Sequence, residues 1–269
     1  IGDRTATSPG GDLAIREVSA GAAGGYWMLG ADGAVYGFGA ARPLGRAAVA
    51  PASAVDLTPT RSGRGYWVVD DTGRVFAFGD AGWRGNADRS RFDSGERVTG
   101  LAATPSGGGY WLFTSRGRVL AFGDAPFLGD MAGRALNAAV LDAVPTPSGA
   151  GYYLVAADGG IFAFGDARFA GSMGGKALNA AVRSLVPAPS GSGYWLVAAD
   201  GGVFAFGAGF FGSMGGTRLN QPITGMVPYG SGYLMVAGDG GVFDFSDLPF
   251  AGSLAGRALA RPVVAVAPV

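Results

Sequence analysis

A unit repeated six times is what most constrains how this chain can fold. A Gly-Tyr pair, followed by Trp in four units, places its tyrosine at Tyr26, Tyr66, Tyr110, Tyr152, Tyr194 and Tyr233, with spacings of 40, 44, 42, 42 and 39 residues. Twelve residues after each tyrosine stands a phenylalanine: Phe38, Phe78, Phe122, Phe164, Phe206 and Phe245. A constant inner interval with a variable outer one describes a fixed hairpin joined by elastic connections. Between the two aromatics lies Asp-Gly at Asp32, Asp158, Asp200 and Asp239, replaced by Thr72-Gly73 and Arg116-Gly117. The glycine stands in all six, as a type I′ turn with positive φ requires.

Each unit carries two further pieces. A small apolar strand precedes the hairpin, as in Val140–Pro147, Arg183–Pro189 and Ile223–Pro228, and a short segment such as Phe169-Ala170-Gly171-Ser172 follows it. Four strands in about 42 residues is the size of a propeller blade, and such a sheet buries both faces only by stacking on its neighbours. The expectation is an all-β chain, a single domain over residues 1–269 forming a six-bladed β-propeller of four-stranded blades. Leu13–Ser19 and Pro262–Pro268 read as extra copies of the first strand, so the termini are expected to clasp the ring; seven blades are the alternative. Composition agrees, with 51 Gly but only two Glu and one Lys, a balance that favours strands and turns over helices.

The unit GYYLVAADGGIFAFGDARFAGSMGG (151–175) and its neighbours resemble the β-propeller repeats of secreted actinobacterial proteins, where such repeats are often joined to cell-wall hydrolases or other extracellular modules. The resemblance spans nearly the whole chain. It implies a propeller and a secreted or cell-surface setting, and it carries no catalytic or binding residues onto this sequence. A start at Ile1 is expected of a processed chain or of a piece of a longer protein.

Several functions are excluded outright. The 269 residues contain no Cys and no His, which removes thiolate nucleophiles, thiolate and imidazole metal sites and the Ser-His-Asp triad. Twenty basic and twenty acidic residues give no net field to draw the chain onto nucleic acid. No apolar run reaches the length of a membrane span.

Two repeated positions are candidate ligand-binding residues. Trp27, Trp67, Trp111 and Trp195 occupy one slot, with Tyr153 and Leu234 in the other two units. They read either as platforms for sugar rings or as packing between blades. Asp80, Asp124, Asp166 and, in shifted sequence, Asp247 follow the second strand, with Ala40 and Ala208 breaking the series. They read either as a rim of carboxylates for sugar hydroxyls or calcium, or as turn caps. No calcium motif accompanies them, so no cofactor is expected. The mixed-charge run Asn86–Arg97 in the longest connection reads as a solvated loop.

Near-identical units work against the asymmetric constellation that catalysis needs, and no spacing selects an acid–base pair. The expected function is a non-catalytic recognition module binding glycan or cell-wall polymer through repeated inter-blade sites. A protein-interaction scaffold or spacer is the alternative, with a propeller hydrolase or lyase behind both. A pocket recurring in every repeat would mark the first, and an apolar patch on one rim the second.

Overall fold

The computed structural model describes residues 15–20, 25–50, 53–256 and Val263. They form six antiparallel sheets of three strands, each sheet one repeat, and within each sheet the strands lie in chain order. The sheets are β1 (Ile15–Ala20), β2 (Tyr26–Gly30) and β3 (Val35–Phe38); β4 (Ala54–Pro59), β5 (Gly65–Asp70) and β6 (Val75–Gly79); β7 (Val98–Ala103), β8 (Tyr110–Thr114) and β9 (Val119–Phe122). The series continues with β10 (Val140–Pro145), β11 (Gly151–Ala156) and β12 (Ile161–Gly165); β13 (Val182–Pro187), β14 (Tyr194–Ala198) and β15 (Val203–Phe206); β16 (Ile223–Tyr229), β17 (Gly232–Ala237) and β18 (Val242–Phe245). Two compact units result. The first covers the chain through Arg134 with the turn segment 145–151, and the second covers 135–144 and the chain from Tyr152 to 268.

Within each unit the sheets stack face to face in sequence order. Trp27, Leu29 and Val35 of the first sheet meet Leu57, Tyr66 and Val68 of the second. Trp67, Val69 and Val75 meet Leu101, Tyr110 and Leu112 of the third. In the second unit Val155 and Ile161 pack on Leu185, Tyr194 and Leu196, and Trp195 and Val197 on Met226, Tyr233 and Met235. Alternation along a strand sends Tyr to one face and Trp to the other. Within each unit the core is therefore a series of seams, each made by one repeat's Trp slot and the next repeat's Tyr. Inside the units the first strands β1 and β4, β4 and β7, and β13 and β16 also lie side by side. Asp56 Oδ2 accepts from Leu101 N at 2.6 Å and Thr58 Oγ1 donates to Leu101 O at 2.9 Å, which ties β4 to β7. In five sheets the first strand skips one residue of register at the same place, as between Ala54 and Asp56, a bulge that increases local twist.

Two local expectations are corrected. The hairpin turn is not the two-residue type I′. Gly33 N bonds Gly30 O and Gly30 N bonds Ala34 O, enclosing a three-residue loop, and Gly33 at φ 80° takes the left-handed position that follows a type I turn. Asp32 fits there because its Oδ1 accepts from Ala34 N at 3.1 Å.

Nor does the segment after the hairpin pair as a fourth strand among the described residues. It reaches the hairpin through one backbone bond per repeat, as in Ala87 N to Gly73 O and Met214 N to Gly201 O. A side chain replaces the rest of the ladder: Asn86 Oδ1 accepts from Val75 N at 2.8 Å, and Ser213 Oγ accepts from Val203 N at 3.2 Å. In this segment Gly171 and Gly212 take φ of 145° and 140°, a backbone conformation that residues with a side chain rarely adopt. Leu13–Ser19 is no extra copy, since its described part belongs to β1, which pairs with β2 as the first repeat's own first strand. Residues 1–14 and most of Pro262–Pro268 lie outside the described residues, and the clasp expected of them with them.

Candidate recognition surface

The structure buries all four tryptophans of the repeated slot, and Trp27, Trp67 and Trp195 stand in the seams. Trp27, Trp67, Trp111 and Trp195 are 0–2% exposed. Trp27, Trp67 and Trp195 lie 5.1–6.1 Å from Tyr66, Tyr110 and Tyr233 of the following repeats. Each indole Nε1 donates to a backbone carbonyl of the following segment: Arg42, Gly82, Pro126 and Gly209. Tyr153 does the same through its hydroxyl, to Arg168 O at 3.0 Å. Their ring faces and their polar atoms are thus engaged within the fold.

The tyrosines complete a latch between successive repeats. Tyr194 Oη accepts from Ala170 N and Gly171 N, both at 3.2 Å, and donates to Gly171 O at 2.6 Å. Tyr66 with Gly45, Tyr110 with Gly85 and Tyr233 with Gly212 repeat the arrangement. The glycine is obligatory, because a Cβ at Gly171 or Gly212 would enter the ring of Phe206 or Phe245. Burial pushes the hydroxyls of Tyr66, Tyr110, Tyr194 and Tyr233 above their ordinary pKa, so they stay protonated donors.

The aspartates lie outside the seams. Asp80 accepts from Ser62 Oγ and, at 2.8 Å, from Thr60 Oγ1, while Asp124 accepts from Ser106 and Thr104 in the same way. These hydroxyl bonds hold both carboxyls below their ordinary pKa. Asp247 Oδ1 accepts from Ser231 N at 2.8 Å, and backbone bonding lowers it likewise. Asp166 is near enough to Tyr153 to help raise that phenol.

The sequence holds a trace of this role. Thr60, Thr104 and Thr146 stand 20 residues before Asp80, Asp124 and Asp166, whereas Ala20 and Ala188 stand 20 before Ala40 and Ala208. In these five repeats threonine and aspartate are present together or missing together, as partners in one turn should be; in the sixth, Val227 stands 20 before Asp247, which bonds the backbone of Ser231 instead. Among the described residues no three acidic side chains gather closely enough to hold a metal ion.

The charged connection departs from a solvated loop at one residue. Asp88 to Arg91 is exposed and forms a short 3-10 turn, but the Glu96 side chain is 0% exposed. Its Oε1 accepts from Thr114 Oγ1 at 2.6 Å and from Arg118 Nε at 3.0 Å, and its Oε2 from Asp93 N at 2.7 Å and Arg118 Nη2 at 3.3 Å. Burial alone would raise the Glu96 carboxyl. The bonds from Arg118, Thr114 and Asp93 outweigh it and leave the carboxyl below its ordinary range.

What the sequence reading missed is a set of exposed aromatics at one position of the repeat. Trp83, Phe127, Phe169, Phe210 and Phe250 are 56–61% exposed, and Pro43 holds the place in the first repeat. Each stands two residues before a latch-position glycine. In four repeats it directly follows the carbonyl that receives the Trp or Tyr153 bond. Phe169 is thereby pinned on both sides, by Tyr153 and by Tyr194, and Phe210 by Trp195 and Tyr233. Exposed side chains on so firmly held a backbone present their faces with little ordering left to lose. The signal was available: an apolar residue two before glycine in every outer segment. Two cavities, of about 250 and 220 Å³, also occur at equivalent places in the second unit.

No protein-family model matches the chain, and no curated protein matches it either. Among solved structures it is similar to the extracellular domain of a one-component system from B. thetaiotaomicron, at 14% identity and a TM-score of 0.56. That match covers 92% of this chain and 34% of the other, so the chain spans about a third of that domain's length. It is also similar to the WD40 β-propeller domain of Doa1, at 14% identity and a TM-score of 0.57, over 87% of this chain and 79% of that one. At such identities the likeness is one of fold, and the fold is propeller-like. No helix among the described residues is long and apolar enough to cross a membrane.

Proposed function

We propose that the six sheets are blades of one propeller in a secreted or cell-surface protein, serving as a non-catalytic recognition module. Its contact surface is the row Trp83, Phe127, Phe169, Phe210 and Phe250, and its ligand a glycan or cell-wall polymer. The observation that carries this reading is the recurrence of one exposed aromatic in five of six repeats, on a backbone latched from both sides at Trp83, Phe169 and Phe210. An aromatic face offers a flat apolar surface to the C–H face of a pyranose ring. Several weak equivalent sites on one chain gain avidity without new contacts. The resemblance of the repeats to secreted actinobacterial propellers supports the setting.

The test is a glycan array that includes peptidoglycan fragments, probed with the wild-type chain and with Phe169→Ala/Phe210→Ala/Phe250→Ala. These side chains are exposed, so the variant should fold normally. Sugar-competed binding that the triple variant loses is the expected result. A blank array, or a triple variant that binds as well as wild type, overturns the reading. A protein partner is then the second reading, favoured by the same exposed apolar residues.

A further inference from the structure

The two cavities of the second unit are one site repeated. Each lies between the connection leaving one sheet and the hairpin of the next. The first is lined by Leu178, Asn179, Asp200, Phe204 and Ser213, and the second by Leu219, Asn220, Asp239, Phe243 and Ser253. In each, the turn aspartate uses Oδ1 to accept a backbone N–H, from Gly202 or Gly241 at 3.0 Å. Neither Oδ2 has a hydrogen-bond partner among the described residues. A cavity of 250 Å³ has room for about eight waters at ~30 Å³ each, enough for one planar polar head and its stem.

Earlier repeats show what fills this place. In the first, Arg46 stands at the position of Ser213, and its Nη2 reaches Asp32 Oδ2 at 2.6 Å, the counterpart of the open oxygen on Asp200. In the second, Arg74 stands at the position of Gly202. Its guanidinium lies 5.5 Å over the ring of Phe76, the counterpart of Phe204. It also bonds Asp70 Oδ2 at 2.8 Å and, across to the preceding connection, Ala48 O at 3.2 Å. In the third, Arg118 again takes the Gly202 position and forks onto Glu96. Three repeats thus put their own guanidinium where the fifth and sixth, with Gly202 and Gly241, leave a cavity walled by a carboxylate and a phenyl ring.

We infer that these two cavities are guanidinium pockets, each receiving an arginine side chain from a protein partner. The carboxylate Oδ2 accepts from the guanidinium and the ring of Phe204 or Phe243 takes its face, a pairing that suits a planar cation better than an ammonium. The second pocket has Arg218 on its wall where the first has Ala177, so it holds a guanidinium less firmly. The site is separate from the aromatic row and does not depend on the glycan reading.

The full chain is titrated, by fluorescence anisotropy, into a labelled Gly-Arg-Gly-Arg-Gly peptide and into its lysine and citrulline counterparts. Arginine is expected to bind at least tenfold tighter than citrulline and several-fold tighter than lysine. Asp200→Asn keeps the bond to Gly202 N and should weaken binding at least fivefold, more than Asp239→Asn does. The substitution Gly202→Arg, paired with Gly241→Arg, supplies the chain's own guanidinium as in the second repeat. A Cβ at Gly202 would stand 3.1 Å from Asp200 Oδ1, and this variant should abolish binding while melting normally. Should it fail to fold, the asparagine variants decide. Equal binding of arginine and lysine, wild-type binding by Asp200→Asn, or no binding of the arginine peptide would each overturn the assignment.

Discussion

Replacing Glu96 by glutamine tests whether the charged connection is a structural lock. The side chain is fully buried, its partner Arg118 is 15% exposed, and four hydrogen bonds converge on the two carboxylate oxygens. Glutamine keeps the shape and removes the charge. Breaking one side of a buried pair costs about 3–5 kcal/mol. Asp93, 3.6 Å from Arg118, retains part of the attraction, which sets the expectation at about 3 kcal/mol, the low end of that range.

Urea unfolding followed by tryptophan fluorescence reads this directly, because Trp27, Trp67, Trp83 and Trp111 all belong to the first unit with Glu96. With an m value of about 2 kcal/mol/M, the midpoint should fall by about 1.5 M at pH 7. Adding Arg118→Met removes the stranded charge and should restore at least about 1 kcal/mol. The pH dependence has a definite sign. The folded carboxyl lies below its ordinary value of 4.5, so its contribution is complete above that value and is lost as pH falls through the folded one. The gap between wild type and variant should therefore narrow below pH 4.5. A gap under about 0.5 kcal/mol at pH 7, or one unchanged in strong acid, would refute the lock.

Three further outcomes are expected. Tyr194→Phe leaves two N–H groups and a carbonyl of the latch unpaired, and should cost about 1–2 kcal/mol with faster amide exchange at Ala170 and Gly171. Gly212→Ala drives a methyl into Phe245 and should lower stability by at least about 2 kcal/mol. Gly175→Ala, whose Cβ would meet nothing within 4 Å, should show only the strain of its positive φ, about 1 kcal/mol; equal melting temperatures for these two variants would sink the latch argument. Thr60→Ala and Asp80→Ala should each cost under about 1 kcal/mol at this exposed turn, and the double variant less than their sum, by denaturant unfolding.

Much of the architecture was legible from spacing. A constant Tyr–Phe interval marks two paired positions of one hairpin, and Tyr66 does pair with Phe78 and Tyr194 with Phe206. The first strand was legible from its small apolar residues. The fourth was not, because a segment of aromatic, small and glycine residues reads as a strand whether or not it finds backbone partners. Here Asn86 and Ser213 supply by side chain the bond that a strand would supply by backbone. The tryptophans were readable as aromatic, yet platform and packing look alike until the neighbouring sheet is in place. Leu234 in the same slot was the clue that favoured packing.

Periodicity, chirality and turn chemistry act over a few residues, and so the chain by itself determined six hairpins, their order, the glycine at each turn and the absence of thiolate or imidazole chemistry. Tertiary structure alone decided which of two repeated aromatics faces water. Trp67 and Trp83 are 16 residues apart in one repeat, and only the stacking of the next sheet buries the first and leaves the second exposed. It also decided the fate of one carboxylate position. Asp32 is bonded to an arginine and Asp200 opens into a cavity, although both sit in the same Asp-Gly turn. The difference comes from what a neighbouring segment brings alongside, an arginine or a serine, and the turn's own residues do not carry that information.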